Sequence, residues 1–182
     1  MQHQVEGGAL RLFFALPLPA GLRESLGRWQ RGQAETEGWT RPENLHLTLA
    51  FLGERPAEAV PALRAIAAPL ADEHGGFGLC TAGLGGFPNA GAARVLWLGL
   101  ESSPALAALA VDLRGALATT SEAFDAKPFR PHLTLARWRR ARAVAGFTPP
   151  PPIRFAVDRL VLFDSRPREG YMPVGDWNLR RV

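Results

Sequence analysis

Two spacings of apolar residues divide the chain into predicted strands and helices. An apolar residue at every second position, or a short apolar run, is typical of a strand, whereas a spacing of three or four is typical of a helix. The first pattern marks segments 11–17, 45–52, 77–87, 95–100, 132–138, 153–163 and 171–179, and the second marks 22–33, 56–74 and 103–117. This mixture of strands and helices predicts an α+β fold.

We expect residues 1–182 to form a single bilobal domain. The length is sufficient for one domain with a substantial core, or for two small lobes packed as a unit. None of the predicted strands leads into the glycine-rich phosphate fingerprint of a dinucleotide site. The pattern therefore favours two lobes, each a mostly antiparallel sheet backed by helix, with the two sheets facing a central cleft.

One five-residue motif, His-Leu-Thr-Leu-Ala, occurs twice, at 46–50 and at 132–136. Each copy alternates polar and apolar residues, so His and Thr share one face of a strand and the leucines enter the core. A proline precedes each copy and favours extended backbone at the entry to the strand. The two copies, near 45–52 and 132–138, predict an internal duplication.

Nearly all the basic residues are arginine. The net charge is +4, and Lys127 is the only lysine among the 21 basic residues. Arginine binds phosphate in a fork geometry, so this balance fits an anionic partner such as RNA. A bias in genome composition explains the same count equally well, because net charge alone does not identify a site.

Cysteine content and hydropathy narrow the class of protein further. Cys80 is the only cysteine, which excludes an intrachain disulfide and a multi-cysteine metal site, and we expect it in the core. The N-terminal segment lacks the regions of a signal peptide, and no apolar run is long enough to cross a bilayer. These features predict a cytoplasmic protein without membrane association.

The paired motifs suggest acid–base chemistry on a phosphodiester. If His46 and His132 face one cleft, one imidazole can accept a proton while the other donates one, because histidine titrates near neutral pH. The hydroxyls of Thr48 and Thr134 can donate hydrogen bonds to anionic oxygens. We expect no metal or other cofactor, since two imidazoles are fewer ligands than a zinc site requires.

The sequence leaves the role of the other candidate site residue, Arg137, open. Strict alternation places Arg137 on the face opposite His132 unless the strand twists or bulges. Arg137 is therefore either a phosphate clamp or part of a solvated basic face with Arg139, Arg140 and Arg142. His3 and His74 are expected to be surface residues without partners.

The motifs, together with RLFFALPLP, WTRPENLHLTLAFLGE, GGFPNAGAARVLWLGL, PFRPHLTLAR and LVLFDSRPREGYMPVGDWNLR, resemble the two-histidine phosphoesterase superfamily. Within it, the chain is most similar to the bacterial and archaeal RNA 2′,3′-cyclic phosphodiesterases, also called 2′-5′ RNA ligase-like proteins. The resemblance covers nearly the whole chain. It implies a bilobal α+β fold with pseudo-twofold symmetry and a cleft that holds both motifs.

The resemblance also implies the roles of the site residues. His132 would activate water and His46 would protonate the departing 3′-oxygen, so that a 2′,3′-cyclic phosphate on RNA opens to a 2′-phosphate without metal. Thr48, Thr134 and Arg137 would hold the phosphate. The formation of a 2′-5′ linkage is implied as a weaker reverse activity, and Phe13 or Phe14 is an implied contact of the base.

Two other functions stay open at this point. Arginine richness favours an RNA-end or tRNA-binding module in which hydrolysis is incidental. The same chemistry also suits a small cyclic phosphate of a nucleotide. We expect a monomer in each case.

Overall fold

The computed structural model describes residues 8–34, 37–120, 124–166 and 169–181, which contain eight strands and three α-helices. In chain order these are β1 (Leu10–Pro17), α1 (Ala20–Arg31), β2 (His46–Arg55), α2 (Val60–Glu73), β3 (Phe77–Phe87), β4 (Ala93–Leu100), α3 (Pro104–Ala118), β5 (His132–Arg142), β6 (Arg154–Val157), β7 (Arg159–Arg166) and β8 (Gly170–Asn178).

The strands form two four-stranded antiparallel groups that join in the order β6–β3–β4–β5–β2–β1–β7–β8. The first half is β2–β1–β7–β8 and the second half is β5–β4–β3–β6. The halves pair at one position, where Leu47 of β2 faces Leu133 of β5. Beyond this pair β2 and β5 separate, which opens a cleft. The predicted α+β fold with antiparallel strands is confirmed, and the two expected sheets are the two halves of one eight-stranded sheet.

Leucine supplies most of the core between the sheet and the helices. Leu47 and Leu133 are fully buried, as are Leu106 and Leu113 of α3, and they belong to one continuous apolar cluster. The Ser103 hydroxyl caps α3 by accepting a hydrogen bond of 3.3 Å from the backbone N–H of Leu106. Among the described residues, no helix has the length and apolar character needed to cross a membrane.

The two halves repeat a strand–helix–strand unit, β1–α1–β2 and β4–α3–β5. The first leucine of each motif pairs with a leucine of the neighbouring strand, and the rest of the register corresponds as well. The equivalent pairs are Leu16–Leu47 and Leu98–Leu133, Ala15–Thr48 and Trp97–Thr134, and Phe14–Ala50 and Leu96–Ala136. This matched register relates the halves by a pseudo-twofold axis. The internal duplication that the repeat predicts stays a prediction.

Two element predictions need correction. The expected strand at 153–163 is two strands, β6 and β7, with a break at Asp158. β6 pairs with β3 and β7 with β1, so the chain changes halves at the break. The helix expected from Pro56 begins at Val60, because a 3₁₀ turn, Ala57–Ala59, precedes it.

Three residues were predicted from the sequence to lie outside the site, and the structure tests two of those predictions, for Cys80 and His74. Cys80 is buried, as expected. His74 has a partner, because its Nε2 lies 2.9 Å from the Asp112 carboxylate and so links α2 to α3. His3 lies outside the described residues.

Candidate active site

A β-bulge at the same place in each motif strand sets which residues face the cleft. The register skips Leu49 between Thr48 and Ala50, and it skips Leu135 between Thr134 and Ala136. A bulge adds one residue to a strand and reverses the alternation beyond it. Leu and Ala are therefore both buried after each threonine, and the next residue, Phe51 or Arg137, lies on the histidine face.

The bulge settles on which face Arg137 lies. Strict alternation had turned it away from His132, and the extra residue at Leu135 turns it back. Arg137 is exposed and borders the cleft, whereas Arg139 and Arg140 lie further along the exposed end of β5. The sequence alone contained a signal for this, since two consecutive apolar residues follow the threonine of each motif.

Two loop segments cross the cleft, each from one half to the motif strand of the other. The first strap, residues 37–40, precedes β2 but bonds to β5: Thr40 N–H donates to Leu135 O, and Arg137 N–H donates to Gly38 O, both at 2.8 Å. The second strap, residues 124–127, precedes β5 but bonds to β2, since Asp125 N–H donates to Phe51 O at 2.9 Å. Each motif strand is thus held by the opposite half.

Both histidines are held in the same tautomer. Nδ1 of His46 lies 2.7 Å from Asn44 O, and Nδ1 of His132 lies 2.6 Å from Arg130 O. A carbonyl oxygen only accepts, so Nδ1 carries the proton in each ring and Nε2 of the neutral imidazole is free to accept one. The Nε2 atom of His46 is 3.0 Å from the Thr48 hydroxyl.

Aromatic rings enclose both imidazoles. His46 lies between Phe13 and Tyr171, at ring-centroid distances of 4.9 and 5.0 Å. His132 lies against Phe87 at 5.2 Å and Trp97 at 6.2 Å. These rings fix the orientation of the imidazoles and remove water from their sides.

Burial and positive charge keep both histidines neutral at pH 7. Burial lowers the pKa of His46 to about 4, the charges of Arg137 and His132 act in the same direction, and the Asn44 carbonyl opposes them. The pKa of His132 is lowered by burial first and by Arg137 as well, against the Arg130 carbonyl. Arg137 therefore lies within electrostatic reach of both rings.

Two cavities flank this arginine. The His132 cavity, about 600 Å³, is lined among others by Phe87, Phe129 and Arg130. The His46 cavity, about 510 Å³, is lined among others by Thr134 and Tyr171. Three residues line both cavities: Thr48, Phe51 and Arg137. All five sequence-predicted site residues therefore border one continuous cleft.

The first strand offers little surface for a base. Phe14 is fully buried on the core side of the sheet, which excludes it as a contact of the base. Phe13 faces the cleft but is only 3 % exposed, because His46, Tyr171 and Phe163 cover its ring. Sequence reasoning missed the more accessible cleft residues Phe51 and Tyr171, which have no motif of their own.

Comparisons with known proteins point to one family. The family model described as the 2′-5′ RNA ligase superfamily matches residues 18–169. The chain is 38% identical over 179 residues to the RNA 2′,3′-cyclic phosphodiesterase of Escherichia coli (strain K12), covering 93% of this chain and 96% of that protein. It is 38% identical over 158 residues to the protein of that name from Thermus thermophilus, covering 82% and 76%.

The fold comparison leads to the same group. The crystal structure of Escherichia coli LigT complexed with 3′-AMP superposes with a TM-score of 0.80 at 36% identity, over 94% of this chain and 99% of that one. The sequence match, the shared fold and the paired motifs in one cleft have a single explanation: this chain belongs to the 2′-5′ RNA ligase superfamily.

Proposed function

We propose that the protein hydrolyses the terminal 2′,3′-cyclic phosphate of RNA to a 2′-phosphate. The names of its relatives in Escherichia coli and Thermus thermophilus support this substrate. The observation that carries the proposal is the arrangement of His46 and His132. Each bonds a carbonyl through Nδ1, and each borders a cavity that also contains Thr48 and Arg137.

The reaction would proceed by in-line displacement at phosphorus. Nε2 of His132 accepts a proton from water as the water oxygen bonds to phosphorus. The bond between phosphorus and the 3′-oxygen breaks, and Nε2 of His46 gives its proton to that oxygen. The ring of His132 ends protonated and that of His46 neutral, so proton exchange with solvent restores the starting state. Each positioned transfer contributes about 10²–10⁴-fold.

Binding of the phosphate would prepare the acid. In the free protein the pKa of His46 is about 4, so almost none of it is protonated at neutral pH. Burial is the main cause of this low pKa and the charge of Arg137 adds to it; an anionic phosphate beside Arg137 neutralises that charge and favours imidazolium. Substrate binding therefore takes up a proton, and the hydroxyls of Thr48 and Thr134 and the guanidinium of Arg137 bond the non-bridging oxygens.

The proposal needs only groups of one chain, so we expect a monomer to be sufficient. Acid and base are both imidazoles, and no step uses a metal. An RNA 5′-hydroxyl in place of water would form a 2′-5′ linkage through the same proton transfers. The superfamily description, 2′-5′ RNA ligase, supports this as a second activity.

The test is the product formed from an RNA oligonucleotide with a 2′,3′-cyclic phosphate, incubated in EDTA. We expect a 2′-phosphate, identified by mass and by its resistance to a 3′-phosphate-specific phosphatase. A 3′-phosphate would reverse the assignment of the leaving oxygen. Bound but unchanged RNA would make the protein an end-binding module, and turnover of a cyclic mononucleotide alone would identify a small-molecule substrate.

A further inference from the structure

The two bulge residues, Leu49 and Leu135, have no partner in the register with β1 and β4. The backbone carbonyl of each accepts a hydrogen bond from a side chain. In the second half, the bulge residue is Leu135. Gln30 of α1 donates from Nε2 to Leu135 O at 3.4 Å and to Thr40 O at 3.0 Å. Gln30 is only 5 % exposed, so its amide is held by the cluster around it. One amide thus joins the bulge to the first strap.

The first half has an equivalent device built from a different side chain. The guanidinium of Arg114, on α3, donates from Nη1 to the bulge carbonyl of Leu49 at 3.5 Å, and from Nη2 to Lys127 O at 2.6 Å. It also lies over the ring of Phe124, at 5.0 Å. The helix of each half therefore supplies one donor that joins its own strap to the bulge of the opposite motif strand.

From this correspondence we infer that Gln30 and Arg114 are positioning residues that hold the bulges of β5 and β2 and thereby turn Arg137 and Phe51 into the cleft. The inference rests on the proposed function for its effect on catalysis. An amide and a guanidinium have little in common except several N–H donors in one plane. Their use at equivalent places, on equivalent pairs of carbonyls, points to the bonds as the selected feature.

The physical consequence is clearest for Gln30. Without these donors, Leu135 O and the part-buried Thr40 O lose their side-chain partner, and the two backbone bonds described above are left to hold the strap to β5, so the strap and the bulge are less firmly fixed. Arg137 follows the bulge directly, so its guanidinium moves with it. A displacement of about 1 Å in a positioning group can lower a rate by about 100-fold.

The experiment is a double-mutant cycle between Gln30→Met and Arg137→Ala, measured as kcat/KM on the cyclic-phosphate oligonucleotide. We expect Gln30→Met alone to lower kcat/KM by about tenfold or more, and by less than about threefold when Arg137 is already alanine. Gln33→Met is the matched control, because among the described residues the Gln33 amide bonds to Trp29 O near the end of α1 and to neither the strap nor the bulge. Equal losses in both backgrounds would reduce Gln30 to a structural residue.

A second measurement is independent of turnover. Burial and then Arg137 lower the pKa of His132 against the Arg130 carbonyl, and the cavity beside the ring is also lined by the charged side chains of Arg114, Asp125, Lys127 and Arg130. Displacement of Arg137 by Gln30→Met should raise the pKa of His132 in an NMR titration, and the same substitution should cause no further rise in the Arg137→Ala protein. If the wild type fails to hydrolyse the RNA but this shift is seen, the proposed function fails and the positioning role stands. An unchanged titration overturns the role.

Arg114→Lys tests the other half with a variant that retains the charge. Arg114 is half-buried, so lysine is tolerated there, but a single ammonium does not reproduce the planar fork on two carbonyls. We expect a loss of about tenfold in kcat/KM, with little change in the free energy of unfolding. Full activity would show that only the charge of Arg114 matters. Because Arg114 also lines the His132 cavity, its loss counts as positioning if it falls below about threefold when Phe51 is already alanine, and an equal loss in both backgrounds overturns the role.

Discussion

The two halves of the sheet share a backbone and differ in the side chains around their histidines. Ala15 pairs with the motif threonine of the first half, whereas Trp97 does so in the second. The next strand differs in the opposite sense, with Val161 beside Ala15 and Gly85 beside Trp97. A Cβ at Gly85 would lie 2.1 Å from the Trp97 ring, so only glycine accommodates the indole.

This difference in side chains shows how a symmetric backbone can support an asymmetric reaction. The equivalent positions Phe51 and Arg137 follow the same bulge, yet one is apolar and the other is charged. Burial lowers the pKa of His46, which lies against Tyr171, to about 4, while His132 lies against Trp97 in a different aromatic enclosure. The proposed acid and base therefore differ in their surroundings, although their backbone positions correspond.

Removal of either imidazole should have the largest effect. We expect His46→Ala and His132→Ala each to lower kcat by about 10²–10⁴-fold, because each loses one of the two proton transfers. Unfolding midpoints should change little. His74→Ala is the matched control, since His74 bonds Asp112 at a distance from the cleft. If one cleft variant retained near-full turnover, the two halves would not share the reaction.

Gly38→Ala should disturb the strap that holds β5. Gly38 has a φ of 75°, and a Cβ there would lie 2.3 Å from the carbonyl oxygen of Arg137. We expect a loss of about 2 kcal/mol in the free energy of unfolding and a reduced kcat/KM, because the strand that carries Arg137 must move. Gly21→Ala is the control, since no atom would lie within 4 Å of its Cβ. Equal behaviour of the two variants would argue against the strap.

Gly85→Ala should lower activity by disturbing the aromatic rings around His132. The added methyl displaces the indole of Trp97, which lies against His132, and we expect about a tenfold loss in kcat. The double variant Gly85→Ala with Trp97→Ala resembles the first half at these positions and should recover part of that loss. A double variant no better than Gly85→Ala would show that Trp97 does not transmit the effect.

The pH dependence of stability should depend on His46 and not on its counterpart groups outside the cleft. The pKa of His46 is about 4 in the folded protein and near 6.5 when unfolded, so the unfolded state binds more protons between these values. The contribution is full above about pH 6.5 and is lost as the pH falls towards 4. Denaturant midpoints of the wild type and His46→Gln, measured from pH 7 to 5, should converge at the acid end. Parallel curves would contradict the lowered pKa.

The motif strands were predictable because their alternation is local. His46 and His132 recur with leucines that are fully buried, so a period of two is sufficient to place them. The face of Arg137 was not predictable by counting, because the bulge at Leu135 depends on pairing with β4. The same bulge at Leu49 is now recognisable in the repeat, as two apolar residues after each threonine.

Long-range contacts explain the other differences. Nothing local marks Asp158 as the place where the chain leaves β3 and joins β1. Gln30 reads as an ordinary polar residue of a helix, and its burial follows from Thr40 and Leu135, ten and more than one hundred residues away. Such roles depend on which distant residues the fold brings into contact, and the spacing of apolar residues along the chain does not predict those contacts.

The crossing of the straps changes how substitutions in this protein should be grouped. Residues 37–40 are close in sequence to His46, but they bond to the strand of His132. Residues 124–127 have the reverse relation, through the bond from Asp125 to Phe51. A catalogue of variants sorted by sequence distance from a motif would thus assign many effects to the wrong histidine, whereas sorting by hydrogen-bond partner would assign them correctly.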